Sequence, residues 1–339
     1  MRMRMGALAV LLAASMYGTL APAVKRAYEA GLSFAEVTFG QLFWAAVLLT
    51  VVRVGRRLLF DRRPSFSRRP FVARRGVREE GKKATPFRPA EEPADEGGRG
   101  RAIAGLAALG VAGLAGVSLA YYGALRTLPA QVALVLLFQF VWMGIVLERL
   151  LFGVRITAGR ALAVVLIFVG DALALRVWAI DWSAIDLRGM ALGLLAAGSY
   201  TTFLLGTARI RAPYDVVDRS LVMVVTGALV VSAFFRLTEP SASLLAPPSA
   251  FGLVLWLALF GQVLPPLLFN WGAPRIGGAA TTLLSSAELP VGMITAAVVL
   301  GEPLGGVELA GVALIVAGVA LVAYGGTAGG GKPAERALG

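Results

Sequence analysis

Ten stretches of about 20 predominantly apolar residues run through this chain, and they restrict its fold more than any other feature. A helix of about 20 apolar residues is needed to cross the hydrocarbon core of a bilayer. Of the 339 residues, 58% are hydrophobic and 15% are charged, whereas soluble domains are about 45–50% apolar and about 25% charged. We therefore predict an all-α integral membrane protein. Its ten transmembrane helices are predicted at residues 5–24, 33–52, 102–122, 129–149, 157–175, 189–208, 214–235, 250–271, 277–300 and 306–325.

The distribution of basic residues predicts the orientation of these helices. Cytoplasmic loops of membrane proteins carry an excess of Lys and Arg. If the N-terminus is cytoplasmic, the inside segments hold 26 Lys and Arg and the outside turns hold 6. Arg2 and Arg4 precede an apolar run, as in a signal peptide, but no convincing cleavage site follows, which favours an uncleaved first helix. We predict a multi-pass protein of the inner or plasma membrane with both termini cytoplasmic, including the tail 326–339.

Residues 53–101 carry most of the net charge of the chain. They hold 15 Lys and Arg and 7 Asp and Glu, which gives +8 of the total of +12. The segment is rich in Arg, Pro, Gly and Glu, so we predict a basic, disordered cytoplasmic loop. It could attract anionic lipid, or it could be a solvated insertion that only fixes the topology. Because the charge is confined to this loop, no nucleic-acid partner is indicated.

The two halves of the chain resemble each other. When residues 114–175 are placed on 262–323, an offset of 148, three pairs of glycines coincide without a gap. These pairs are Gly144 with Gly292, Gly153 with Gly301, and Gly170 with Gly318. Five helices per half is an odd number, so the second half must enter the membrane from the opposite side. The sequence thus predicts two inverted five-helix repeats, as in many transporter folds.

Several short motifs in the second half resemble the EamA-type transporters of the drug/metabolite transporter (DMT) superfamily. They are Leu300-Gly301-Glu302-Pro303-Leu304, Ala287-Glu288-Leu289-Pro290-Val291 and Asn270-Trp271-Gly272-Ala273. The resemblance implies a first EamA-like repeat at 1–52 and 102–180, a second at 185–325, and a central cavity for small organic molecules. The chain departs from the family pattern at Val154, at Trp142 and in its long 53–101 loop.

Glu288 is the strongest candidate for a binding residue. An ionisable group within a membrane helix is costly and therefore needs a reason. Glu288 is predicted close to the midplane of the ninth helix, where it could bind an amine or carry a proton. It could equally be a structural, hydrogen-bonded glutamate between helices.

Neutral polar residues near the middle of other helices complete the predicted substrate-binding set. Gln139 aligns with Ala287, so we expect Gln139 and Glu288 to face each other across the repeats. Tyr17 and Tyr200 correspond between the repeats and offer a ring face and a hydroxyl group. Gln262 and Asn270 lie near two prolines in the eighth helix. Interhelical hydrogen bonding is the alternative role for these polar side chains.

The resemblance implies a secondary transporter of small organic metabolites, such as amino acids, and we predict that it works by alternating access. Export is favoured over uptake. The chain has no Cys and no His, which excludes thiolate metal sites and the usual catalytic bases, so we expect no enzyme activity, cofactor or metal. Proton coupling and a homodimer stay open. The alternatives are a membrane receptor or scaffold without transport, and a membrane enzyme that acts on lipid.

Overall fold

The chain folds into a bundle of helices. The structure is a computed structural model, and it describes residues 2–60, 96–210, 212–301 and 303–325. The centre of the predicted loop (61–95), Glu302 and the tail 326–339 therefore lie outside the described residues. The described α-helices are α1 (Arg2–Gly18), α2 (Leu20–Glu29), α3 (Phe34–Phe60), α4 (Glu96–Leu109), α5 (Gly116–Ala124), α6 (Ala130–Leu137), α7 (Phe140–Phe152), α8 (Ala158–Ala174), α9 (Leu187–Arg209), α10 (Val216–Thr238), α11 (Phe251–Leu257), α12 (Leu264–Ile276), α13 (Gly278–Ser285), α14 (Glu288–Leu300) and α15 (Gly306–Gly325).

The membrane-spanning character of the bundle is confirmed. Within the described residues, nine helical stretches are long and apolar enough to cross a membrane. Helix α8 is also apolar, but it has 17 residues and is slightly shorter than the others. The protein is thus an all-helical membrane protein with about ten helices that could span the bilayer.

The ends of the predicted 53–101 loop are helical, so the prediction of disorder is wrong for 53–60 and 96–101. The extension of α3 is held by ion pairs with the start of α10. Arg53 lies 2.6 Å from Asp218, and Arg56 lies 2.9 Å from Asp215. Charge composition alone did not reveal these tertiary partners.

Local capping explains where several helices begin and end. The amide of Ser33 donates to Glu36 at 2.8 Å and the amide of Glu36 donates to the Ser33 hydroxyl at 3.2 Å, a capping box at the start of α3. Asp215 caps α10 by accepting from the Asp218 amide at 2.8 Å. Helices α7 and α14 end at Gly153 and Gly301, whose φ angles of +66° and +71° favour glycine.

Several of the predicted continuous spans are interrupted near their middles. Helix α1 stops at Gly18, α6 is separated from α7 by Phe138 and Gln139, and α13 is separated from α14 by Ser286 and Ala287. Two further spans contain a π-helical turn, at Gly110–Ala115 and at Ala258–Val263. Such turns often occur at functional sites, because they change the direction in which side chains point.

The interruptions recur at the offset of 148 residues seen in the sequence. The two π-helical turns, the α6–α7 and α13–α14 breaks, and the glycine ends at 153 and 301 all coincide at this offset. The packing is also exchanged between the halves: α1 packs on α12, whereas α9 packs on α5. Helix α3 packs on α10, and α8 packs on α15. Each of these four contacts thus joins a helix of the first half to a helix of the second half.

The contact between α1 and α14 depends on glycine, and it supports the start of α14. A Cβ atom on Gly18 would lie 2.4 Å from the Glu288 carbonyl oxygen and 2.9 Å from the Gly292 nitrogen. Both are backbone atoms, which cannot rotate away as a side chain can. The two helices can therefore approach this closely only if position 18 has no side chain.

We expect Gly18→Ala to lower the free energy of unfolding by about 1–3 kcal/mol, the usual cost of overpacking. Gly198→Ala is the matched control, since a Cβ atom there would meet no neighbour within 4 Å. Thermal unfolding in detergent measures both variants. Equal stability of the two variants would contradict the proposed close contact.

Candidate functional site

A cavity of about 450 Å³ lies between the two halves of the bundle. It extends from Tyr17, Tyr200 and Glu288, near the middle of their spans, to Gln131 and Glu308 at helix starts. We call this end of the bundle, where α2 and α8 end and α6 and α15 begin, the open side. The closed side is the opposite end, where α7 and α9 end and α13 begins.

Glu288 is the acidic residue at the deep end of the cavity. It is the first residue of α14, directly after the break, and its side chain is half-buried. A carboxylate at a helix N-terminus interacts favourably with the helix dipole. The Tyr200 hydroxyl donates a hydrogen bond to Glu288 Oε2 at 3.1 Å. The break in the span therefore places a hydrogen-bonded acid against the cavity.

Aromatic rings surround the deep end of the cavity. The Tyr17 and Tyr200 rings are 5.8 Å apart in an edge-to-face arrangement. Tyr200 packs edge-to-face on Phe140 at 4.7 Å, and Tyr17 lies 5.8 Å from Phe269. This packing holds both tyrosines in place. Tyr17 and Tyr200, which correspond between the halves in the sequence, are therefore in contact. Their role in binding stays a prediction.

Three tyrosines outside the predicted substrate-binding set also line the cavity. They are Tyr28, Tyr121 and Tyr122, so five of the seven tyrosines in the sequence line it. Tyr122 donates to Gln41 Oε1 at 3.4 Å. The hydroxyl groups of Tyr28 and Tyr121 are buried without a hydrogen-bond partner among the described residues. The concentration of tyrosine near the helix ends on the open side was a usable sequence signal.

Gln262 also lines the cavity, from the second π-helical turn. Its Nε2 donates to the Ser118 hydroxyl on α5 at 3.4 Å. Its Oε1 is buried without a partner within the described part of the chain. An acceptor in this position could receive a hydrogen bond from a ligand.

Two of the predicted site residues do not line this cavity. Gln139 lies in the α6–α7 break and lines a separate pocket, so the prediction that it faces Glu288 is wrong. The Nε2 atom of Gln139 donates to the Val135 carbonyl oxygen at 2.9 Å, and its Oε1 atom accepts from Trp142 Nε1 at 2.8 Å. Asn270 is buried against α10, where it donates to the Ser220 hydroxyl at 3.0 Å. For Asn270, interhelical hydrogen bonding is the better description.

On the closed side, Glu148 joins the two halves. This residue of α7 is 3% exposed. It accepts from the Gly278 amide at 3.1 Å and from the Ala279 amide, both at the start of α13. Arg209, the last residue of α9, donates to Glu148 Oε1 at 2.6 Å. We call these groups the Glu148 network.

The equivalent position on the open side lacks a carboxylate. Ala296 lies 148 residues after Glu148, and it lines the cavity. The start of α6, which is equivalent to the start of α13, also lines the cavity through Ala130 and Gln131. The two ends of the bundle therefore differ in the way the halves are connected.

The helices and the cavity define a multi-pass helical membrane protein with a pocket lined by residues from both halves of the chain. The family model of the EamA-like transporter family matches residues 187–324. The second half of the chain thus resembles the EamA-like transporter family over 187–324, and the resemblance inferred from its motifs is confirmed.

The similarity in fold to a solved structure extends over nearly the whole chain. One solved crystal structure is 16% identical in sequence and superposes with a TM-score of 0.67. The alignment covers 93% of this chain and 95% of the other. No curated protein matches the sequence. At 16% identity the likeness concerns the fold alone.

Proposed function

We propose that the chain is a secondary transporter of small organic metabolites, with amino acids and related amines as the favoured class. One observation carries this proposal: a cavity of about 450 Å³ reaches from mid-span to one side, and the Glu148 network joins the halves on the other. Alternating access requires a site near the midplane that is exposed to one side at a time. The family match of the second half is in agreement.

Two inverted repeats are part of this proposal. The support is the recurrence of breaks and π-helical turns at the offset of 148 residues, together with the exchanged packing of α1 on α12 and α9 on α5. With the N-terminus cytoplasmic, the open side faces outward. Movement of one half against the other would then close the cavity and open the cytoplasmic side.

The chemistry of the cavity favours a substrate with an ammonium group and an apolar or aromatic part. Glu288 would accept hydrogen bonds from the ammonium group. These hydrogen bonds would be strong because both the donor and the acceptor are charged. The tyrosine rings offer faces for aromatic or cationic groups. Glu288 could also carry the coupled proton, in which case protonation would release the ammonium group.

Single cysteines test the access to the cavity, since the native chain has none. Gln131→Cys on the open side should react rapidly with an impermeant maleimide, because position 131 is exposed and lines the cavity. Thr282→Cys on the closed side should not react, because Thr282 is 0% exposed. Labelling of sealed vesicles measures both rates. Reaction at 282 without reaction at 131 would contradict the open and closed sides assigned above.

Flux into proteoliposomes tests the function itself. Radiolabelled amino acids and amines should move into or out of vesicles that contain the protein, and protein-free vesicles supply the baseline. Binding without flux for every compound would instead favour a membrane receptor. A pH gradient imposed across the same vesicles separates proton-coupled transport from facilitated diffusion.

A further inference from the structure

A second pocket lies outside the cavity, between the α6–α7 break and the end of α8. It has a volume of about 260 Å³ and includes part of the segment that follows α8. Leu175 lines both this pocket and the main cavity, so the two are neighbours. The residues that line the pocket are Val135, Phe138, Gln139, Phe168, Asp171, Ala172, Leu175, Val177 and Trp182. We call it the Asp171 pocket.

Asp171 is a buried acid in a mostly apolar surrounding. Its side chain belongs to a residue that is 8% exposed, and its Oδ1 has no hydrogen-bond partner among the described residues. Leaving a buried carboxylate without compensating partners is costly. The group therefore has an unused capacity to accept hydrogen bonds inside the pocket.

The neighbouring polar groups are engaged elsewhere. The Gln139 side-chain amide donates to the Val135 carbonyl oxygen, and its oxygen accepts from Trp142. Arg176, the cation closest along the chain, lies 3.5 Å from Glu308 and pairs with it. The residues that line the pocket include no Lys or Arg. A ligand with a positive charge would supply the counter-charge and the hydrogen-bond donor that these side chains do not supply to Asp171.

The pocket lies where a lipid headgroup would be found. Asp171 is within one turn of the last residue of α8, Ala174. Phe168, one turn earlier, is 40% exposed on the apolar surface of the bundle. Trp178 and Trp182 follow α8 and are 58% and 44% exposed, and exposed tryptophans are enriched at the membrane–water interface.

We propose that the Asp171 pocket binds the primary ammonium group of a phosphatidylethanolamine headgroup. Asp171 would accept hydrogen bonds from the ammonium group, and the rings of Phe138 and Trp182 would lie beside the positive charge. A choline headgroup has no N–H to donate, so it would fit the acceptor less well. The apolar lining and the exposed Phe168 favour a lipid over a free amine. This inference does not depend on transport.

Binding of purified full-length protein to phosphatidylethanolamine and phosphatidylcholine with the same acyl chains tests the proposal. Native mass spectrometry and thermal unfolding in detergent give the two readouts, since a ligand of the folded state raises its stability. We expect about tenfold tighter binding of phosphatidylethanolamine, as charge-assisted hydrogen bonds are strong. Asp171→Asn should remove this preference, whereas Asp181→Asn, which changes an exposed acid nearby, should retain it.

Equal binding of the two lipids by the native protein would overturn the proposal, and so would a preference that survives in Asp171→Asn. Glycerophosphoethanolamine carries the same headgroup without acyl chains, so binding as tight as that of the lipid would assign the pocket to a soluble amine instead. If Asp171→Asn does not fold, the native protein is tested instead with lipids whose headgroup nitrogen carries one, two or three methyl groups. Affinity for the native protein should then fall as N–H groups are lost, and constant affinity would overturn the proposal.

Discussion

Glu288→Gln should reduce the affinity for an ammonium substrate by roughly 30-fold or more, with a corresponding loss of flux at low substrate concentration. Removing one member of a buried, hydrogen-bonded charge pair costs about 2–5 kcal/mol, and glutamine keeps the shape of the side chain while removing its charge. Glutamine can still accept the hydrogen bond from Tyr200, which is 3.1 Å long in the native protein. The packing at the start of α14 should therefore survive.

Proteoliposome flux over a range of substrate concentrations measures this effect, and thermal unfolding shows that the variant is folded. Glu239→Gln is the matched control, because Glu239 lies in an exposed ion pair with Arg126 at 3.9 Å. Tyr200→Phe should have a smaller effect, since a single hydrogen bond contributes about 0.5–1.5 kcal/mol. Unchanged flux in Glu288→Gln would remove Glu288 from the substrate site and leave it with a structural role.

Glu148→Ala should open the closed side of the bundle. The substitution leaves the Arg209 side chain and the Gly278 and Ala279 amides without their carboxylate. Breaking a buried ion pair costs about 3–5 kcal/mol and an exposed one about 0–1 kcal/mol. Arg209 is 37% exposed, so we expect a loss of roughly 2–3 kcal/mol, between these limits.

The sensitive measurement is maleimide labelling of Thr282→Cys in the presence and absence of Glu148→Ala. Position 282 should change from unreactive to reactive, because it lies in α13 one turn after the amides that Glu148 binds. Glu239→Ala serves as the control and should leave position 282 protected. Continued protection in the Glu148→Ala background would mean that other contacts keep this side closed.

The sequence predicted the number and positions of the helices well, because the bilayer imposes a simple rule on length and apolar content. The interruptions inside the spans were harder to predict. Neither Phe138-Gln139 nor Ser286-Ala287 contains a proline or glycine that would indicate a break. These breaks depend on the packing between the halves, and a sequence read one helix at a time does not contain that information.

The same limit applies to the predicted substrate-binding residues, whose role in binding stays a prediction. Tyr17, Tyr200 and Glu288 lie together at the deep end of the cavity, and each was predicted near the middle of its span. Gln139 lies in the α6–α7 break and lines a separate pocket, so its alignment with Ala287 did not predict which side chains surround it. Asn270 has the right depth, but its side chain bonds to α10.

The difference between Glu148 and its counterpart Ala296 has a thermodynamic consequence. Two identical halves would give inward- and outward-facing conformations of equal free energy. Without ligand, the two conformations would then be equally populated. In the proposed alternating-access mechanism, a carboxylate at only one of the two positions would stabilise one conformation and deplete the other. Because apparent affinity scales with the fraction of competent molecules, a ligand offered from the depleted side would bind more weakly. This pair of positions would then contribute to the direction in which the protein operates most readily.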